Sequence, residues 1–382
     1  MKRRDTNHTQ GTSLRFLAEF ARANGLSISE DSTQEQLLSV LKQTLCDTRE
    51  NPIRLHGFRV QAMFSYLAAA LGNCALITEE DSGTFFDAIG TLTRPDFRLI
   101  TRDHQQMLIE VKNHHEKNVP QPYAFKESYL ESVTRYAELM GLPLKFAIYW
   151  SRWNTWTLTD ASRLFRKGEK TKLTFPDALK MSEMATLGDI SVGTVPPLAL
   201  RLYADTTKPH EVNDAGEARF TIGKASLYCG GKEITKPDEV RLAWMFMHYG
   251  RWTDCQQTAK IENHLLDFVE LAVAPEVPTE GQGFEIVGAM SQIISKQYLD
   301  ATSADEQIKA LSPQNDAHEF GAIIPPDYEG EALHLWRFSQ QPNFEKNPPA
   351  QTPVSKVSPP SSTDGQCNPR KKPRSKKPSP WR

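Results

Sequence analysis

The sequence predicts an α/β fold, and three observations carry that prediction. They are an amphipathic helical stretch at 57–71, a pair of strands at 97–112, and a second helical stretch followed by a wholly apolar strand at 122–150. In 57–71 (GFRVQAMFSYLAAAL), Val60, Phe64, Leu67 and Leu71 recur at helical spacing, and Gly72-Asn73 supplies the stop. Residues 75–79 (ALITE) read as a first strand, 122–140 as a second helix, and 144–150 (LKFAIYW) as a buried strand.

The strand pair carries the chemistry. It is formed by Arg94-Pro95-Asp96-Phe97-Arg98-Leu99-Ile100 and, after a polar turn, Met107-Leu108-Ile109-Glu110-Val111-Lys112. Successive strand side chains point to opposite faces. Phe97, Leu99, Met107, Ile109 and Val111 are therefore expected on one apolar face, and Asp96, Arg98, Ile100, Leu108, Glu110 and Lys112 on the other. Burying that second set together is unfavourable unless a cation or a phosphate compensates the charge. Bringing Asp96 beside Glu110 or Lys112 requires an odd-length loop near 102–105, because a slip of one residue sends Asp96 to the opposite face.

Pro95-Asp96 followed by Glu110-Val111-Lys112, the one acidic-x-Lys triplet in the chain, resembles the PD-(D/E)XK nuclease superfamily. The order helix, three strands, helix, strand over residues 55–160 is also that of the superfamily's core. The resemblance implies a restriction-endonuclease-like mixed sheet flanked by helices, and a metal-dependent endonuclease acting on DNA. It further implies Asp96, Glu110 and Lys112 as catalytic residues, with Mg²⁺ or Mn²⁺ held by Asp96, Glu110 and the Val111 carbonyl. Members often add a further acid from the first helix or strand. Here the helix offers Arg59 and Gln61 instead, so Glu79, Glu80 and Asp81 are the substitutes, Glu80 the favoured one; without it, one metal rather than two is expected. Hard oxygen donors suit Mg²⁺, which takes one or two carboxylates and keeps several waters.

Around this set, His114, Arg135 and Tyr136 are the candidate substrate-binding residues, with His115 and Lys126 behind them. The run Tyr149-Trp150-Ser151-Arg152-Trp153-Asn154-Thr155-Trp156 places aromatics beside a cation and suits base stacking, or else core packing. The resemblance also implies a role in bacterial restriction or defence, to which two alternatives stand: a non-catalytic nucleic-acid-binding scaffold on the same fold, or a DNA repair or junction nuclease. The expected partner is DNA, with a second copy of the chain or a partner protein of a defence system beside it.

The chain has 382 residues, 39% of them hydrophobic, enough for more than one domain. The expected division is a helical segment at 1–54, the nuclease core at 55–160, an α+β accessory or recognition domain at 161–346, and a disordered tail at 347–382. Helices are expected at 13–23 and 34–45, the latter capped by Thr33. In the accessory region strands are expected at 219–222, 224–235 and 332–338, with Gly230-Gly231 as a turn. Helices are expected from Pro237 and at 257–273 and 284–301. The tail holds eight Lys/Arg against one acid, net +7, which leaves −9 for the remainder of a chain whose total is −2. An acidic body must hold nucleic acid through a local basic patch, and the tail suits a salt-sensitive tether to phosphates or, in a eukaryotic source, a nuclear address. No long apolar run suggests a membrane span or a secretion signal. Five scattered cysteines without a CxxC pair argue for a reducing, cytoplasmic setting.

Overall fold

A computed structural model describes residues 1, 9–50, 52–82, 85–115, 121–164, 171–304, 307–320, 324–325 and 327–344. Three helices open the chain, α1 (Thr9–Asn24), α2 (Asp31–Glu50) and α3 (Pro52–Leu71). Then come β1 (Cys74–Glu79), β2 (Phe97–Thr101), β3 (Gln106–His114), the two-residue β4 (Tyr123–Ala124), α4 (Glu127–Met140), β5 (Leu144–Trp150) and β6 (Thr155–Asp160). The first sheet has the order β1-β2-β3-β5-β6. Only the β3–β5 pair is parallel, and α4 makes the crossover that a parallel pair requires.

This mixed sheet is filled from both sides, as the alternation dictates. Phe97, Leu99, Met107, Ile109 and Val111 join Phe64 and Leu67 of α3 in one cluster. Leu108, Phe146, Ile148 and Trp150 join Leu130 and Val133 of α4 in another. All seven residues of β5 are buried, which explains its unbroken apolar sequence.

Two expectations in this half need correction, and the aromatic run follows its core-packing reading. Helix α4 begins at Glu127 rather than Pro122, because Tyr123 and Ala124 pair with Leu173 and Lys172 as a short ladder. Thr33 does not cap α2; it lies inside the helix, fully buried, and its hydroxyl donates to the Ser27 carbonyl at 2.5 Å. Of the aromatic run, Tyr149, Trp150 and Trp156 are core residues, and Trp153 stacks on Phe175 with ring centroids 4.3 Å apart.

The C-terminal half builds a second, antiparallel sheet in the order Lys232–Ile234, Ile222–Cys229, Leu198–Ala204, Leu265–Ala274 and Thr253–Asp254, with Thr258–Glu262 paired to Leu265–Ala274. Cys229 pairs with Lys232, so Gly230-Gly231 is a two-residue hairpin turn with both φ values positive, the backbone that favours glycine. The helix opened by Pro237 runs to Tyr249. The stretch 257–273 is a strand hairpin, not a helix: Glu262 pairs with Leu265 around Asn263 and His264, both at positive φ. In 284–301 a strand, Glu285–Ala289, precedes the helix Met290–Ala301. Within 332–338 the strand is confined to Trp336–Phe338, and 219–221 is not strand.

Packing is continuous across residue 160: Phe64, Phe97 and Trp156 share a cluster with Leu242, Phe246, Ile293 and Tyr298. Arg59 helps make that join, its guanidinium donating to the Leu299 carbonyl and the Thr302 and Ser303 hydroxyls. Cys74 and Cys229 are buried free thiols. Among the described residues no helix is long and apolar enough to cross a membrane. The basic tail lies outside the described residues.

Candidate active site

Phe97 pairs with Ile109, so Asp96, one residue earlier, stands across from Glu110. The Thr101 N–H donates to the Gln105 carbonyl at 3.0 Å, which leaves Arg102, Asp103 and His104 as a three-residue loop with His104 at φ +65°. The loop has the odd length that this register demands, and Asp96, Glu110 and Lys112 share one face.

The Asp96 carboxylate is held at both oxygens. Oδ2 accepts the Val111 N–H at 2.6 Å and Oδ1 accepts Gln61 Nε2 at 2.9 Å. The same Gln61 nitrogen lies 3.3 Å from Asp81 Oδ2. Burial, and then the negative charge of Glu110, hold the Asp96 carboxyl well above the ordinary carboxylate range, against the pull of the Val111 N–H and Lys112. The facing Glu110 charge in a poorly hydrated place is a reason for Asp96 to keep a proton or for the pair to gain a cation.

Glu110 is 1% exposed. Its Oε1 accepts both the Lys112 ammonium and the Tyr129 hydroxyl, the latter at 2.5 Å. Its Oε2 has no accessible surface and no hydrogen-bond partner. Lys112 Nζ also lies 3.3 Å from the Tyr129 hydroxyl and 4.5 Å from the centroid of its ring. Burial alone would lower the Lys112 pKa, but the charge of Glu110 and its hydrogen bond outweigh it, and the amine stays protonated.

Glu79 pairs with Phe97, which sets Glu80 beside Asp96 on the adjacent strand edge, and the Glu80 N–H donates to the Asp96 carbonyl at 2.9 Å. The Glu80 side chain turns to Arg98 Nη2 at 2.8 Å and to the Tyr136 hydroxyl at 2.5 Å, both on Oε1. Burial and then Glu80 push the Tyr136 hydroxyl up to about 12. Glu80 is therefore neutralised by Arg98, while Asp81 reaches Gln61.

The other candidates lie apart from the two carboxylates. Arg135 bonds the Thr91 hydroxyl at an exposed position. His114 is buried, with Nε2 against the Gln121 carbonyl at 3.0 Å and its ring edge-on to Trp150. His115 bonds Ser151 Oγ at 2.8 Å, and Lys126 is the exposed residue before α4. Tyr129 was absent from the residues singled out by sequence; nothing in its spacing marks it, since its contact with Glu110 and Lys112 arises from the crossover of α4. Gln61 carried a signal, as one of the two polar residues of the helix that stand where a further acid was expected.

The donor set suits a hard divalent cation. Glu110 Oε2 is a buried carboxylate oxygen that lacks a partner, the neighbouring Asp96 adds a second hard donor, and the described partners of both include no thiolate or imidazole.

No family model matches the chain, and no curated protein matches it. Among solved structures the chain is similar to a Holliday junction resolvase from the archaeal hyperthermophile Archaeoglobus fulgidus, at 18% identity and a TM-score of 0.21, over 26% of this chain and 74% of that one.

Proposed function

We propose that the chain is a metal-dependent endonuclease of restriction-endonuclease-like fold that hydrolyses phosphodiester bonds in DNA. The observation that carries the reading is the placement of Asp96, the residue just before β2, across from Glu110 of β3, with its Oδ2 on the Val111 N–H, Lys112 on the same face and Glu110 Oε2 left without a partner. Asp96, Glu110 and the Val111 carbonyl hold one Mg²⁺ or Mn²⁺. Glu80, bound to Arg98, serves to position that arginine rather than to add a second metal.

When bound, the cation supplies charge stabilisation on the nonbridging oxygens, a hydroxide-like nucleophile at neutral pH and help for the leaving oxygen. The residues supply placement. Lys112 stays protonated and donates to a phosphate oxygen or the attacking water, and Tyr129 keeps it on the Glu110 side of the sheet. The Val111 N–H and Gln61 fix the Asp96 carboxylate, so little reorganisation is left for the reaction itself. Bacterial restriction or defence is the proposed setting, with DNA as substrate.

The test is cleavage of plasmid and single-stranded DNA by the full chain with Mg²⁺, Mn²⁺ or EDTA, beside Lys112→Ala. Metal-dependent cutting that falls about 10²–10³-fold in the variant supports the reading. Cutting that survives EDTA, or equal cutting by the variant, contradicts it. Metal-independent DNA binding without cutting would instead select the scaffold.

A further inference from the structure

The helix Pro237–Tyr249 buries Leu242, Ala243, Met245 and Phe246. Arg241, Trp244 and His248 follow one another at about one helical turn on the exposed side, and Trp244 is left 53% exposed. They do not simply face solvent. With Tyr249, Gln297 and Phe320 they line a cavity of about 460 Å³, within the range of small-ligand sites.

Three features of the cavity point to one kind of occupant. Trp244, flanked by two residues of basic type, offers an aromatic face on which a planar ring stacks. Arg241 and His248 have no hydrogen-bond or ion-pair partner among the described residues. The Gln297 side chain lines the cavity, and its carboxamide oxygen is buried without a partner, so rotation of the amide turns that oxygen to the cavity as an acceptor for an incoming donor. One acid, Glu319, also lines the cavity, and its Oε2 accepts from Asn315 Nδ2 at 2.8 Å. An anion is thereby directed to Arg241 and His248, and a ring amine to the acceptors.

We propose that this cavity binds a nucleoside monophosphate whose base carries an exocyclic amine. The base stacks on Trp244, its amine donates to Gln297 Oε1, and the phosphate sits on Arg241 and His248. The ligand is either a free nucleotide or one unstacked nucleotide of a strand. The proposal does not depend on the cleavage reading, because no residue of the Asp96–Glu110 site takes part.

The test is calorimetric titration of the full chain, in EDTA, with AMP, UMP, inorganic phosphate and a short oligo(dA), for the native sequence and for Arg241→Glu and Trp244→Ala. Thermal unfolding checks that both variants remain folded; Arg241→Glu, at an exposed position, is the variant that keeps the test decisive if Trp244→Ala is not. The expected result is saturable binding of AMP, or of oligo(dA) if a strand is the source, weakened about tenfold or more in each folded variant and weaker for UMP. No saturable binding of either probe overturns the proposal. So does binding matched by UMP or inorganic phosphate, or binding unchanged in Arg241→Glu.

Discussion

The backbone N–H of Val111 donates to Asp96 Oδ2 at 2.6 Å, so the first acid of the site is clamped to the strand that carries the second. Asp96 directly precedes β2 and Glu110 lies within β3. The spacing of the two carboxylates is set by the β2–β3 register, and Gln61 closes the arrangement from α3.

Asp96 is held in an environment that disfavours its charge. Asp96→Asn should lower cleavage at least about 10²-fold while leaving the thermal midpoint in EDTA unchanged or raised, because an unfavourable charge has been removed. A clear loss of thermal stability would show that the carboxylate serves the fold rather than a cation.

Tyr129→Phe removes the hydroxyl shared by Glu110 and Lys112 but keeps the ring beneath the ammonium. Cleavage should fall about tenfold, less than in Lys112→Ala, with the metal requirement unchanged, since one hydrogen bond to the Glu110 carboxylate is lost and the carboxylate itself remains. Activity equal to the native chain would remove Tyr129 from the site.

Much of this site was legible from the sequence because a period of two leaves little choice. Once Phe97, Leu99, Met107 and Ile109 must be buried, the partners of Asp96 follow. Leu144–Trp150 was legible for a related reason, seven residues too apolar for any place but a central strand. The contacts of Tyr129 and Tyr136 were not, since both lie on α4 and meet the strands only through the crossover and not through local spacing. The helix expected at 257–273 failed for a different reason. Its break is Asn263-His264, two residues at positive φ without a glycine, and the apolar residues after it also fit a helical count. The first turn of α4 was displaced by a two-residue ladder formed with residues about 50 positions away.

In the C-terminal half, the buried Glu239 accepts three backbone N–H groups, those of Glu331, Ala332 and Leu333, at 2.6–3.1 Å. These bonds hold the carboxyl below its usual range despite its burial. Glu239→Ala should reduce stability by at least about 3 kcal/mol in urea unfolding, because three donors lose their acceptor at once. A loss under about 1 kcal/mol would show that water replaces the carboxylate without difficulty.

Asp189 accepts the N–H and hydroxyl of Ser291 at 2.9 and 2.6 Å, at the start of the helix Met290–Ala301. Burial raises its carboxyl to about 6, with the Ser291 bonds pulling the other way. The folded state then keeps a proton that the unfolded state has released between about pH 4 and pH 6. The contribution of this group is full below that window and is lost as pH rises through it, by about 3 kcal/mol at most. The stability of Asp189→Asn relative to the native chain should therefore improve from pH 4 to pH 6; a difference that stays constant would contradict the assignment.

The most direct test of the central claim is Mn²⁺ binding to the full chain at pH 8, followed by calorimetry, for the native sequence and Glu110→Gln. The expected result is a saturable site in the native chain, weakened about tenfold or more in the variant, because Glu110 Oε2 is a buried carboxylate oxygen without a partner. No saturable binding in the native chain, or equal binding in Glu110→Gln, would contradict a metal site between Asp96 and Glu110.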